Sequence, residues 1–425
     1  MICLALVETD LFEEKKPKAV LVALSEGAEE SVVEASLAEL EALLETAGGE
    51  CAFTVVQNLD RPNTKTYIGS GKAKEIAEAV AARGDIDLVI FDNELSPAQL
   101  NNLEDIIGVR IIDRTMLILD IFALHATTGE GKLQVEIACL RYTAPRLTGK
   151  GNELSRLGGG IGTRGPGESK LESDRRHLKR RIAALEEELA EMQRTRDTKR
   201  AARDKKGLKN AAIVGYTNSG KSTLLNYLTG AGILAENKLF ATLDPTTRLL
   251  TTGDGTEILI TDTVGFIDRL PHHLVRAFRS TLDELKYADM IVSVTDASET
   301  DTERCRKRLV TDKLVEELCG GDKPVIQLYN KSDIAVEREQ IPADAIEISA
   351  KYGTGIDNFI KKLEEIANSG MKRVRFFFDH ASQGEVSNLY RFATVLETEY
   401  TPDGVFVTAD CEAKEIGKYN RFIVQ

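Results

Sequence analysis

The chain has 425 residues, a net charge of −13 and 42% hydrophobic residues, which is too long for one ordinary core and points to two to four domains. No apolar run is long enough to cross a bilayer, so membrane insertion is not expected. Six scattered cysteines lack metal-ligand spacing, and the first residues, Met1–Glu8, lack the basic flank and long apolar stretch of a secretory signal, so a cytoplasmic protein with reduced thiols is expected; separately, a monomer is expected.

Residues 1–128 read as an N-terminal α/β domain. Short apolar runs at Ala19–Leu24, Phe53–Val56, Leu88–Phe91 and Arg110–Ile112 alternate with helical stretches around Glu29–Thr46, Lys72–Arg83 and Pro97–Ile107. This alternation predicts a mainly parallel sheet with flanking helices. Gly69-Ser70-Gly71-Lys72 looks like a phosphate loop, but Thr66 stands where its first glycine belongs and Ala73 replaces the hydroxyl. We assign it no chemistry.

Residues 129–207 read as a basic helical arm. Leu133, Ile137, Leu140, Ala144 and Leu147 form one apolar stripe, which Pro145 should end or kink. Leu171, Leu178, Ile182, Leu185, Leu189 and Met192 form a second, and the two predict an antiparallel hairpin. Between them, residues 149–167 hold eight glycines with Lys150, Arg156 and Arg164. Nineteen residues exceed what a hairpin needs, and long loops are usually functional. Residues 141–209 carry 19 Lys/Arg against 10 Asp/Glu, so an acidic chain holds a basic segment. Such a segment suits an anionic surface such as structured RNA, although a merely solvated helix has the same composition.

Residues 208–369 carry the clearest signal. Gly215-Tyr216-Thr217-Asn218-Ser219-Gly220-Lys221-Ser222 matches G-x-x-x-x-G-K-[ST], between an apolar strand at Ala211–Val214 and a helix from Thr223. Backbone N–H groups of such a loop cradle phosphates, Lys221 supplies charge to the β- and γ-phosphates, and Ser222 gives a hydroxyl to Mg²⁺. Asp262-Thr263-Val264-Gly265 follows Ile258–Ile260, placing Asp262 in the metal shell and the Gly265 N–H toward a γ-phosphate. Asn330-Lys331-Ser332-Asp333 follows another strand, and Asp333 can accept both N1–H and the exocyclic amine of guanine, which adenine cannot offer. Ser349-Ala350-Lys351 completes the base pocket. All four motifs in this order, each after a strand, read as a GTPase that binds GTP and GDP. The metal-binding threonine of switch I is Thr242, Thr246 or Thr247 by residue type alone.

Gly265 is followed by Phe266 and Ile267, neither of which can orient water. We therefore expect slow intrinsic hydrolysis, with a partner or a retracting Phe266 completing the site, unless Phe266 simply packs. Asn218 occupies the loop position at which some GTPases recruit K⁺; an ordinary loop-stabilising asparagine is the other reading.

Several of these segments resemble the HflX family of ribosome-associated GTPases. They are Gln134–Ile137, Leu140–Tyr142, Gly162–Glu168 leading into Leu171-Glu172 and Asp174-Arg175-Arg176, then Phe240-Ala241-Thr242-Leu243-Asp244 and Asp262–Phe266. The resemblance implies a hydrolase whose N-terminal domain and arm contact the large ribosomal subunit and its rRNA, and which splits stalled or idle ribosomes under stress. It selects Thr242 as the switch I threonine and implicates Phe240, Ala241, Leu243 and Asp244 in nucleotide binding. An RNA-remodelling or subunit-maturation GTPase is the alternative.

Residues 370–425 alternate strand-like runs (Val374–Phe378, Val395–Glu397, Val405–Val407) around a Pro402-Asp403-Gly404 turn and predict a small α+β domain. Lys372, Arg373 and Arg375 are either RNA contacts or solvated there.

Overall fold

A computed structural model of the chain describes residues 16–146, 166–204, 208–230, 239–240, 242–271, 274, 284–321, 323–335, 341–369, 371–390, 393–412 and 416–424. The Gly-rich loop 149–167 falls almost entirely outside them, as do Leu147 and Ala241.

The first sheet joins β1 (Lys18–Ser25), β2 (Glu50–Asn58), β3 (Leu88–Phe91) and β4 (Arg110–Asp113), all parallel in the order β2-β1-β3-β4. Helices α1 (Glu30–Thr46), α2 (Ser70–Arg83), α3 (Pro97–Ile107) and α4 (Arg114–His125) connect and cover it. Helix α3 starts where Ser96 and Gln99 form a reciprocal capping box with Pro97 in the first turn. Helix α4 is buried over most of its length, so its apolar residues show no one-sided stripe that would mark it in the sequence.

Helix α5 (Gly129–Thr143) and α6 (Pro166–Asp204) form the predicted hairpin. Leu133, Ile137, Leu140, Leu178 and Leu185 make a dry seam, flanked by Ala144, Ile182 and Leu189. α5 stops at Thr143, two residues before Pro145. Arg181–Glu136 (2.8 Å) and Arg196–Glu130 (3.2 Å) cross the seam. The C-terminal end of α5 is fixed to the first domain by Asp113, which accepts from Leu95 N (3.1 Å), the Tyr142 hydroxyl (2.5 Å) and Arg146 (3.1 Å).

The second sheet runs β10-β9-β8-β5-β7-β6. Its strands are β5 (Lys209–Gly215), β6 (Thr246–Thr251), β7 (Glu257–Asp262), β8 (Met290–Asp296), β9 (Val325–Asn330) and β10 (Ile346–Glu347), with only β6 antiparallel. Helices α7 (Lys221–Thr229), α8 (Asp301–Cys319) and α9 (Ile356–Ala367) accompany it. Thr246 and Thr247 begin β6, and the Thr247 hydroxyl lies 3.0 Å from that of Thr261. Neither is therefore a switch-loop residue.

The third sheet is antiparallel, with order β12-β13-β11-β14: β11 (Met371–Asp379), β12 (Thr394–Thr401), β13 (Gly404–Glu412) and β14 (Ile423–Val424), plus helix α10 (Gln383–Leu389). Here Arg373 pairs with Asp410 through two 3.0 Å contacts and Arg375 with Glu399 at 2.8 Å. Both arginines are thus occupied within the sheet. Cys51, Cys305, Cys319 and Cys411 are free thiols.

One hydrophobic core crosses the covalent order. Leu21, Leu40, Ile118 and Phe122 of the first domain share it with Tyr216, Phe240, Leu243, Val264 and Ile267.

Candidate active site

The C-terminal ends of β5, β7 and β9 converge on a cleft of about 490 Å³. It is lined by Thr217, Asn218, Gly220, Lys221 and Ser222 of the loop after β5, and by Phe240 and Thr242. Thr263 and Gly265 follow β7, Asn330 ends β9 with Lys331 and Asp333 just after it, and Ser349, Ala350 and Lys351 come from the turn after β10. Four separate sequence motifs thus meet in one place.

Each end of the cleft has its own logic. At the phosphate end, Gly220 has φ +91, and a Cβ there would sit 2.1 Å from Asn330 Nδ2. Only glycine lets Asn330 donate to the Ser219 carbonyl (2.9 Å) while accepting from Ala350 N (2.9 Å). That single buried amide ties the phosphate loop to the base pocket. Lys221 is buried and donates to the carbonyls of Gly215 (3.1 Å) and Tyr216 (2.8 Å). Burial lowers its ammonium to about 8, with Asp262 opposing.

Three oxygens gather beside Lys221. Ser222 Oγ lies 2.7 Å from Thr242 Oγ1 and 2.7 Å from Asp262 Oδ2. Asp262 is fully buried, and its Oδ1 has no hydrogen-bond partner. Burial raises its pKa, with Lys221 opposing. Two hydroxyls and a half-satisfied carboxylate form the all-oxygen set that suits Mg²⁺. Thr242 therefore stands where a switch threonine is needed.

At the base end, Lys331 (φ +64) is held by Asp296 at 2.5 Å, and Asp333 is exposed to the cleft. Ile334 (58% exposed) and Tyr352 (64% exposed) also line it. These two lie just outside the motifs, and only their adjacency to Asp333 and Lys351 could have flagged them.

Other predicted residues turn away from the cleft. The Tyr216 side chain points into the N-terminal domain, where its hydroxyl pairs with Glu39 and accepts from Asp268 N (2.7 Å). Leu243 and Val264 pack in the shared core, and Asp244 hydrogen-bonds Thr127 and Thr128. Ser219 is buried beneath the loop. Of these residues, any nucleotide contact falls to the backbone. Phe266 is 2% exposed and packs with Ala212, Val214, Leu285 and Ile291, so it does not face the cleft. Its backbone does matter: Thr217 N–H donates to Phe266 O (2.7 Å) and Phe266 N–H to Gly215 O (3.0 Å), stitching the phosphate loop to the segment after β7.

A strand–loop–helix phosphate cradle, a metal-type oxygen cluster and a guanine-type pocket on one doubly wound sheet define a P-loop GTPase. Family models match most of the chain: one described as GTP-binding GTPase N-terminal over residues 34–123, GTP-binding GTPase Middle Region over 125–203, and 50S ribosome-binding GTPase over 210–331. The GTPase HflX of Lacrimispora saccharolytica is 48% identical over 407 residues, covering 94% of this chain and 95% of that protein. That of Escherichia coli K12 is 43% identical over 336 residues, 77% and 78% of the two chains. A GTP-binding protein from Sulfolobus solfataricus, solved with GDP, is 26% identical with a TM-score of 0.43, covering 83% of this chain and 99% of that one. The chain belongs to the HflX family of GTPases and is a GTP hydrolase with a GTPase domain of the ribosome-binding kind. No helix among the described residues is long and apolar enough to cross a membrane.

Proposed function

We propose that the protein is a GTP-switched factor that binds the large ribosomal subunit through its helical arm and separates stalled or idle ribosomes into subunits. The observation that carries this reading is the arm itself. Leu133, Ile137, Leu140, Leu178 and Leu185 are taken up in the hairpin seam, and Arg175, Arg176, Lys179 and Arg180 are exposed near one end. A basic tip on a rigid stalk is suited to phosphate-rich rRNA.

Within the cleft, Lys221 neutralises the β- and γ-phosphates, and Asp333 selects guanine. Ser222, Thr242 and Asp262 would hold Mg²⁺, and the Gly265 N–H would meet the γ-phosphate. A bound Mg²⁺ would supply charge that offsets what develops on the phosphates during transfer. Asn218 (φ +61) borders the cleft and is a candidate K⁺ contact. The two side chains that follow Gly265, Phe266 and Ile267, are buried away from the cleft and cannot orient water, so hydrolysis is slow until the ribosome completes the site.

The deciding experiment is sedimentation of intact ribosomes with the protein and a non-hydrolysable GTP analogue. Dissociation into subunits supports the proposal, and binding without dissociation replaces it with the maturation alternative.

A further inference from the structure

Thr242 is held in place by another domain. Two residues on, the Asp244 carboxylate accepts four hydrogen bonds from the turn that opens α5. Oδ2 takes Thr127 N (3.0 Å), Thr127 Oγ1 (2.8 Å) and Thr128 N (2.8 Å), and Oδ1 takes Thr128 Oγ1 (2.5 Å). Thr128 is the N-cap of α5, and its Oγ1 in turn accepts from Gly131 N (3.0 Å). Asp244 thus caps the first helix of the arm from outside it, where a carboxylate is also favoured by the helix dipole.

The seat is shaped for this carboxylate. A Cβ on residue 131 would lie 2.3 Å from Asp244 Oδ1, so Gly131 leaves the space that Asp244 fills. On the other side of Thr242, Phe240 packs edge-on against Phe122 (4.8 Å, 83°) and Leu239 N donates to Thr46 Oγ1 (3.2 Å). Contacts to the N-terminal domain therefore flank Thr242 on both sides.

In GTPases whose switch loop is ordered by the γ-phosphate, the metal-binding threonine leaves with hydrolysis. Here Thr242, whose Oγ1 lies 2.7 Å from Ser222 Oγ, is flanked on both sides by residues anchored to other parts of the protein. We infer that Asp244 is a positioning residue that ties the Mg²⁺-binding threonine to the root of the helical arm, so that the arm sets Mg²⁺ affinity even in the GDP state. This rests on the proposed role of Thr242 as a metal ligand. By linkage, a force that draws the arm away from Asp244 loosens Mg²⁺ at the nucleotide, and Mg²⁺ steadies the arm by the same factor.

The test measures mant-nucleotide release from the full chain as a function of free Mg²⁺. Thr127→Val/Thr128→Val and, separately, Gly131→Ala disturb the latch without touching the cleft. With mant-GDP, each should raise the half-saturating Mg²⁺ about tenfold, the loss expected for hydrogen bonds to a charged group, while release in EDTA stays unchanged. Thr242→Ala with a mant-labelled non-hydrolysable GTP analogue checks the metal-ligand role separately. If Thr242→Ala shifts the Mg²⁺ dependence with that analogue and both latch variants leave it unchanged with mant-GDP, the inference is overturned and the metal assignment stands. If Thr242→Ala shifts nothing with the analogue, both fall. Equal acceleration of release with and without Mg²⁺ in the latch variants would mean general loosening and would also overturn it.

Discussion

Gly220 and Asn330 touch: the amide of Asn330 donates to the loop at Ser219 O, and the space it occupies is the space a side chain on residue 220 would need. Gly220→Ala must both adopt a left-handed backbone and displace that amide. The strain, about 1–3 kcal/mol, predicts a loss of GDP affinity of roughly 10- to 100-fold. Titration with mant-GDP measures it, and near-normal binding would show that the loop tolerates a different path.

Asp333 faces the cleft with its carboxylate exposed. Asp333→Asn should lower guanine-nucleotide affinity by about 10²–10⁴-fold, because the base then meets an unmatched donor. Binding of xanthosine diphosphate should rise in the same variant. Loss of both would point to unfolding of the pocket instead.

Phe266 is a core residue, so its substitution should be felt as stability. Phe266→Ala is expected to cost about 3–5 kcal/mol in denaturant unfolding. Phe266→Leu should leave single-turnover GTP hydrolysis unchanged in the absence of ribosomes. A marked gain in rate would restore the idea that this side chain shields the attacking water.

For the arm, replacing Arg175, Arg176, Lys179 and Arg180 with Ala should weaken ribosome binding and flatten its salt dependence. If each contacts one phosphate, the log–log salt slope should fall by about three. The crossing pair Arg181–Glu136 is half exposed, and breaking it should change hairpin stability by no more than about 1 kcal/mol.

Cys411 is buried in the C-terminal sheet, and burial pushes its thiol up to about 11. At pH 8 only roughly one molecule in a thousand carries the thiolate there. Ellman's reagent should therefore leave Cys411 unreacted in the native protein, with reactivity rising as pH climbs toward 11 and appearing at once on unfolding. Fast native labelling at pH 8 would contradict the packing of this sheet.

Much of the site was legible because its chemistry is local. Each motif is a short run after an apolar strand, and strand, loop and residue type coincide from Gly215 to Ser222 and again at Asp262 and Asn330. The hairpin was equally readable from its stripes, since its core is periodic. What escaped were features that depend on distant partners. Helix α4 is apolar on nearly every face because it is wrapped by both α1 and α5. Tyr216 and Asp244 sit inside nucleotide motifs, yet their side chains answer to Glu39 and Thr128, which lie more than a hundred residues earlier. Residue order alone carries no signal for such pairs.

The core shared by Phe122 and Tyr216 also bears on how the chain can be divided. A cut near residue 207 would respect the linker but slice through packing, baring Tyr216, Phe240, Leu243, Val264 and Ile267 on the released piece. An excised GTPase fragment would then present a contiguous oily patch beside its own nucleotide loop, the kind of surface that self-associates. Its kinetics would report on a damaged surface as much as on the cleft. The unit that can be dissected is set by where side chains meet, and here that unit runs from Lys18 through the whole of the second sheet.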